Sequence, residues 1–320
     1  MSSLSNFTLD ISDLSLVGKG LNRPESVLVE KNGTVWTSSG QGGVTRIDPN
    51  GQQENLGDLG GEANGLAMDK EGNFYVANIG DGNVYKLYRD GHREVVLSEI
   101  DGNPLGSVNY VFIDSKDRLW VSVLTRTIPW FPAINTGKAD GYIIRIDQQG
   151  AQIVADNILF CNEIRMDARE EYLYAAETMA NHILRFPVRE DGSLGEREIF
   201  GPEDLGQGAV VDGFAFDAEG NLWVTTITRN GLMIITPEGK AHTVFEDPQT
   251  EAIDRAMDKI KTGELTPEGL FACMGQNIQF PTSVAFGGPD LKTVYMGSLG
   301  MTHLLSFKSP VAGLPMYHWR

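Results

Sequence analysis

Cysteine is almost absent from this 320-residue chain, with only Cys161 and Cys273 present. Two thiols cannot build a disulfide framework; they read as reduced side chains of a cytoplasmic protein, with a single bond between them as the alternative. No run of about 18 apolar residues exists to span a membrane, so no membrane partner is expected. The N-terminus has no basic segment followed by an apolar core, so no secretory leader is expected either. Positive charge is scarce: 26 Lys and Arg stand against 43 Asp and Glu, a formal net charge of −17. A phosphate backbone would be repelled by that excess, which excludes a nucleic-acid partner. The glycine-rich stretches 40–43, 57–61 and 80–82 do not follow a strand and open a helix, so they are not phosphate cradles. No Ser-His-Asp arrangement can be placed. Hydrophobic residues nevertheless make up 41% of the chain, enough for a continuous core.

One pattern is written six times: RPESVLVEKNGTVW (23–36), ANGLAMDKEGNFY (63–75), VNYVFIDSKDRLW (108–120), CNEIRMDAREEYLY (161–174), VDGFAFDAEGNLW (211–223) and PTSVAFGGPDLKTVY (281–295). Each copy opens on a polar residue, runs apolar, turns, and runs apolar again. Phe214 and Phe216 alternate with smaller neighbours before the turn at 217–220, which is a β-hairpin with period-two patterning. Asp and Gly suit such a turn because Asp bonds nearby amides and Gly tolerates positive φ. Third strands follow at 44–47, 84–87, 142–146, 182–186, 232–235 and 303–307, and weaker fourth strands in several units, as at 94–97 and 151–154. About 53 residues per repeat is close to the ~40–50 typical of propeller blades. The expectation is an all-β six-bladed propeller in one domain over 1–320, with a β-sandwich or irregular barrel as the alternative.

In a propeller the first strand of each blade lines the central channel, so the opening residues Glu25, Asn64, Asn109, Asn162, Asp212 and Thr282 ring one end of it. Two segments at that end are enlarged, 125–141 and the connection 246–280 between the fifth and sixth blades. The latter carries a helix predicted over 249–261, with Ala252, Ile253, Ala256, Met257 and Ile260 on one face. That face either packs on the propeller or serves as a lid. Loops gathered over a concave end shape a binding site.

Glu25, Asn109, Asn162 and Asp212 offer two carboxylates and two amide oxygens. All are hard donors with a combined charge of −2, which suits a divalent cation such as calcium. Zinc recruits His or Cys more often, and the ring contains neither. The plain alternative is that these side chains satisfy backbone donors at strand starts.

At these residues the chain resembles the regucalcin, gluconolactonase and luciferin-regenerating family of six-bladed propellers. The similarity runs through Pro24 and Glu25, Cys161 and Asn162, Asp212 and Gly213 with 217–223, and the closing stretch 286–295. The resemblance implies a divalent metal held by Glu25, Asn162 and Asp212, with Asn109 near or on it. Calcium is the first expectation, and zinc, magnesium, manganese or iron(II) are alternatives. It also implies hydrolysis of a cyclic ester, with Asp212 as general base and Glu25 as second choice. The small-molecule substrate would be a lactone or ester.

Sugar lactonases of the family tend to carry Arg two residues before the third-blade Asn, where this chain has Ser107. Tyr110 follows Asn109, the third-blade loop supplies Trp130 and Phe131, and the late connection supplies Phe271, Met274 and Phe280. With Asn64 and Glu177, these make Tyr110, Trp130, Phe131 and Met274 the expected substrate contacts. His182 and His303 are weaker candidates. The pocket is expected to be less polar than a gluconolactone needs. Two other classes stand beside the lactonase: a propeller running an isomerisation, ring closure or phosphoester cleavage on the same metal, and a non-enzymatic calcium-binding scaffold. Oligomeric state is not legible.

Overall fold

The structure, a computed structural model, describes residues 4–319. Six four-stranded antiparallel sheets account for nearly all of the regular structure. Their first strands are Val27–Val29, Ala63–Met68, Ser107–Ile113, Cys161–Met166, Val211–Phe216 and Pro281–Gly287. Each of these touches the next, and the last touches the first, so the six close a ring around a channel. This is the six-bladed propeller expected from the repeat.

Turn aspartates hold the inner hairpins of the second to fifth blades from below. Asp217 accepts from the amides of Glu219 and Asn221, and its second oxygen takes the Trp223 indole at 3.0 Å. Asp114 does the same for Lys116, Arg118 and Trp120. The second-strand aromatics alternate around the ring as Trp36, Tyr75, Trp120, Tyr174, Trp223 and Tyr295. They fill the wedges between blades: Trp36 lies 4.8 Å from Phe74, Tyr174 lies 4.9 Å from Phe216, and Trp223 meets Phe286 edge-on at 5.6 Å. Truncating a fully buried one such as Trp223 would cost about 3–5 kcal/mol.

The sixth blade is completed by a strand from the other end of the chain. Ser15–Val17 pairs with Leu304–Lys308, Ser15 lying opposite Ser306. The repeat reading does not reveal this strand, because three residues carry no period. At the far end of the channel the C-terminal segment crosses the opening. Leu314 donates to Phe216 O at 2.9 Å in the fifth blade, and the Trp319 indole donates to Val29 O at 2.6 Å in the first.

The helix between the fifth and sixth blades is α1, Thr250–Thr262, one residue later than predicted, and it stops at Gly263 in a left-handed conformation (φ 71°). A short α2, Pro267–Phe271, follows it. The third-blade insertion folds as a 3-10 turn, Phe131–Thr136, and meets the helical insertion above the channel. Asn135 joins the two by donating to Leu265 O and accepting from Leu265 N, both at 2.9 Å. Cys161 and Cys273 are buried free thiols. Among the described residues no helix is long and apolar enough to cross a membrane.

Candidate active site

The opening residues reach the channel because the inner strands are bulged. Register shifts fall between Ala63 and Leu66, Val108 and Tyr110, Cys161 and Ile164, Val211 and Phe214, and Pro281 and Val284. Asn64, Asn109, Asn162, Asp212 and Thr282 therefore sit on the unpaired side of a bulge, which bends the strand and re-aims a side chain. Second-strand hydroxyls repair the broken ladder: Ser122 Oγ accepts from Tyr110 N and Thr225 Oγ1 from Gly213 N, each at 3.1 Å. Blades crowd at this level. A Cβ on Gly213 would stand 2.2 Å from Thr282 O, and one on Gly297 would strike the Glu25 carbonyl.

Five of the six opening residues line one cavity of about 430 Å³: Glu25, Asn64, Asn109, Asn162 and Asp212. Thr282 does not. It turns to the first blade, where its hydroxyl and that of Ser283 donate to Glu25 O at 2.8 and 2.6 Å and so fix the Glu25 backbone.

Sequence reasoning missed Arg23. Its Nη2 donates to Asn64 Oδ1 at 2.7 Å and lies 2.6 Å from Glu25 Oε2, while Nε faces Glu62 at 3.7 Å. Its Nη1 donates to Ala63 O at 3.3 Å, so one guanidinium ties the first blade to the second around Glu25. Burial pushes the Glu25 carboxyl upward against the pull of Arg23 and Asn64. Asp212 is pushed well above the ordinary carboxylate range by burial, then by the Glu25 and Glu163 charges, with the Asn162 amide opposing. Two buried carboxylates thus share one guanidinium.

Among the described residues no group of three or more His, Cys, Asp or Glu side chains is placed to hold a metal, and half of this ring's donors are amides. Amide and carboxylate oxygens together still form a hard donor set, and all four side chains line the same cavity. The residues fit a divalent cation of the calcium type.

Arg23 also marks a second tier, two residues ahead of each opening residue. Arg23, Phe160, Val210 and Phe280 hold positive φ of 49°, 62°, 47° and 50°. Such conformations cost about 1–3 kcal/mol for residues with a Cβ and gather at functional sites. All four side chains line the cavity, as does Glu62, the second-blade member. Ser107, the third-blade member, does not; it is buried with its hydroxyl on Thr127 O. The signal lay in the offset of two residues, which was read only in the third blade.

Trp130, Phe131 and Met274 line the cavity as expected, with Phe271 and Phe280. Tyr110 does not. Side chains on a strand alternate, so the residue after Asn109 points away, and its hydroxyl accepts from Arg165 Nη2 at 2.6 Å. Arg165 also holds Glu163 at 2.6 Å, and burial pushes Glu163 up to about 7 against that pairing. Glu177 is also absent from the cavity. Its oxygens take the Leu159 amide and His182 Nε2, both at 2.7 Å, which ties strand ends together. His182 is spent in that pair, and His303 lines a separate cleft with Ile11 and Leu16 on the sixth blade.

Residues 62–254 match the family model described as the SMP-30/Gluconolactonase/LRE-like region. The chain belongs to that family. Within the SMP-30/gluconolactonase/LRE-like family, a 6-deoxy-6-sulfogluconolactonase from Pseudomonas putida is 27% identical over 265 residues, covering 82% of this chain and 78% of that protein. A gluconolactonase structure from Xanthomonas campestris superposes with a TM-score of 0.70 at 18% identity, over 93% of this chain and 89% of that one. A calcium-binding regucalcin from Agrobacterium tumefaciens gives 0.70 at 16% identity, over 95% and 98%. At these identities the structures share the fold.

Proposed function

We propose that this protein is a divalent-cation-dependent hydrolase that opens lactones. The observation that carries the reading is the pair of buried carboxylates, Glu25 and Asp212, set with Asn109 and Asn162 at the closed end of a cavity. The relative named as a sulfogluconolactonase supports a lactone substrate, and the neighbour described as calcium-binding supports calcium as the first cation to test. Glu25, Asn109, Asn162 and Asp212 would hold the cation, which supplies Lewis-acid polarisation and a more acidic water.

The chain's own groups do the rest. Asp212, a buried carboxylate lining the cavity, takes a proton from the water that attacks the acyl carbon. The ring C–O bond breaks, the proton passes to the departing oxygen, and a hydroxy acid leaves. Arg23 and Asn64 hold Glu25 in place from one side, and Thr282 and Ser283 hold its backbone from the other. Asn162 bonds Asp212 and sets its orientation. The test is Asp212→Asn, followed by metal analysis and pH-stat titration of lactone opening. Loss of turnover together with weakened cation binding is the expected result; full turnover by that variant sinks the assignment.

A further inference from the structure

The polar side chains occupy one end of the cavity, and the remaining surface is of another kind. The second tier divides by blade: Arg23 and Glu62 stand over the first two blades, and Phe160, Val210 and Phe280 over the last three. Above them the roof presents Met257 and Ile260 from α1, Leu270 from α2, and Met274. Two hydroxyls interrupt these walls. Thr228 is engaged with Gly208 O, which leaves the buried Thr178 Oγ1 without a partner. Phe271 is 56% exposed at the rim, an uncommon place for a large aromatic unless something apolar passes it.

We infer that the substrate is an amphipathic lactone, whose ring ester sits over the Glu25 and Asp212 end and whose apolar chain or ring runs under the helical roof toward the fourth to sixth blades. The inference rests on the hydrolytic reading above and narrows it to a substrate class. Volume sets the scale: a cavity of about 430 Å³ is much larger than a five-membered lactone needs, which leaves space beyond the ring for a substituent of several carbons. A polyhydroxylated ring would instead press several hydroxyls against Phe160, Val210, Phe280 and the roof, a lining that is mostly apolar. Methionines at two roof positions adapt to chains of different length. The Pseudomonas relative is named for a sugar lactone, so a sugar lactone is the discriminating control.

The experiment is a pH-stat series of γ-lactones with side chains of one to eight carbons, run beside glucono-1,5-lactone with calcium present. The specificity constant kcat/KM should rise about fourfold per methylene until the cavity is full, with gluconolactone at least ~100-fold below the best substrate. Met257→Gln should flatten that slope while circular dichroism shows an unchanged fold. A flat or falling slope, or preference for gluconolactone, overturns the inference and leaves the hydrolase reading standing. If no lactone opens, the hydrolase reading fails on its own, and thermal shift decides the pocket. A rise in Tm with γ-decalactone but not with gluconolactone keeps the amphipathic ligand; no rise, or an equal rise with both, removes it.

Discussion

The floor of the cavity comes from strands that enter a shared axis at the same level, whereas its roof comes from two insertions that share no repeat. Floor positions are equivalent by symmetry, so their chemistry is constrained jointly: each bulge delivers one polar side chain, and neighbours leave no space for a Cβ at Gly213 or Gly297. Roof positions answer only to each other. Met257, Ile260 and Leu270 have no counterpart in other blades, and the arms are joined through Asn135 and Leu265. The difference separates two kinds of information. Symmetry locates the reacting end, and asymmetry sets what can be brought to it.

That division can be broken most severely at the floor. Asp212→Ala should lower kcat/KM by about 10³ or more, measured by pH-stat, and chelation of wild-type protein should do the same until calcium is restored. Substituting the roof should cost less and depend on the ligand. Met257→Gln with Ile260→Gln should reduce kcat/KM on an eight-carbon γ-lactone by about tenfold, consistent with roughly 1–2 kcal/mol of lost apolar contact. Equal losses on γ-valerolactone would erase the distinction between floor and roof. Asn135→Ala removes two hydrogen bonds worth about 1 kcal/mol each and should speed amide exchange in α1 by about thirtyfold, read by mass spectrometry.

The smallest functional effect belongs to Glu177 and His182, which lie in neither region. His182→Gln should leave KM within about twofold while lowering stability by about 2 kcal/mol at pH 5.5. Burial pulls the His182 imidazolium down, but Glu177 and the Glu203 carbonyl outweigh it and its proton affinity rises above the ordinary 6.5. Burial raises Glu177, but His182 and the Leu159 amide outweigh it and the carboxyl falls below 4.5. The histidine's contribution is complete below pH 6.5 and fades as pH rises through its raised value. The glutamate's is complete above pH 4.5 and fades as pH falls through its lowered value. The stability gap between wild type and variant should therefore be widest from about pH 4.5 to 6.5. A gap that ignores pH contradicts the pairing.

The blades and the ring were legible because hairpins write themselves in period two and the polar openings recur at fixed places. Tyr110 is not legible from its neighbour Asn109, because adjacency in sequence is not adjacency in space: alternation and the bulge after Val108 send it to Arg165. Glu177 and His182 were placed at the right end of their strands, but two polar groups facing across a strand pair satisfied each other first. Arg23 stands at the two-residue offset that recurs in every blade, but its turn back over the site depends on a φ of 49° that residue type alone does not announce. The roof was half legible: an amphipathic helix was visible, and its division into a face packed through Ile253 and Ala256 and an edge over the cavity through Met257 and Ile260 was not.

The pairing of Ser15–Val17 with the last strand has a consequence in time. During synthesis these residues emerge well before Leu304–Lys308, the strand they must meet. Five blades can assemble in order as the chain lengthens, but the sixth stays one strand short until its early piece returns. Loop-closure entropy grows only logarithmically, so the distance adds little to the equilibrium; what it adds is a wait, during which the early strand stays unpaired.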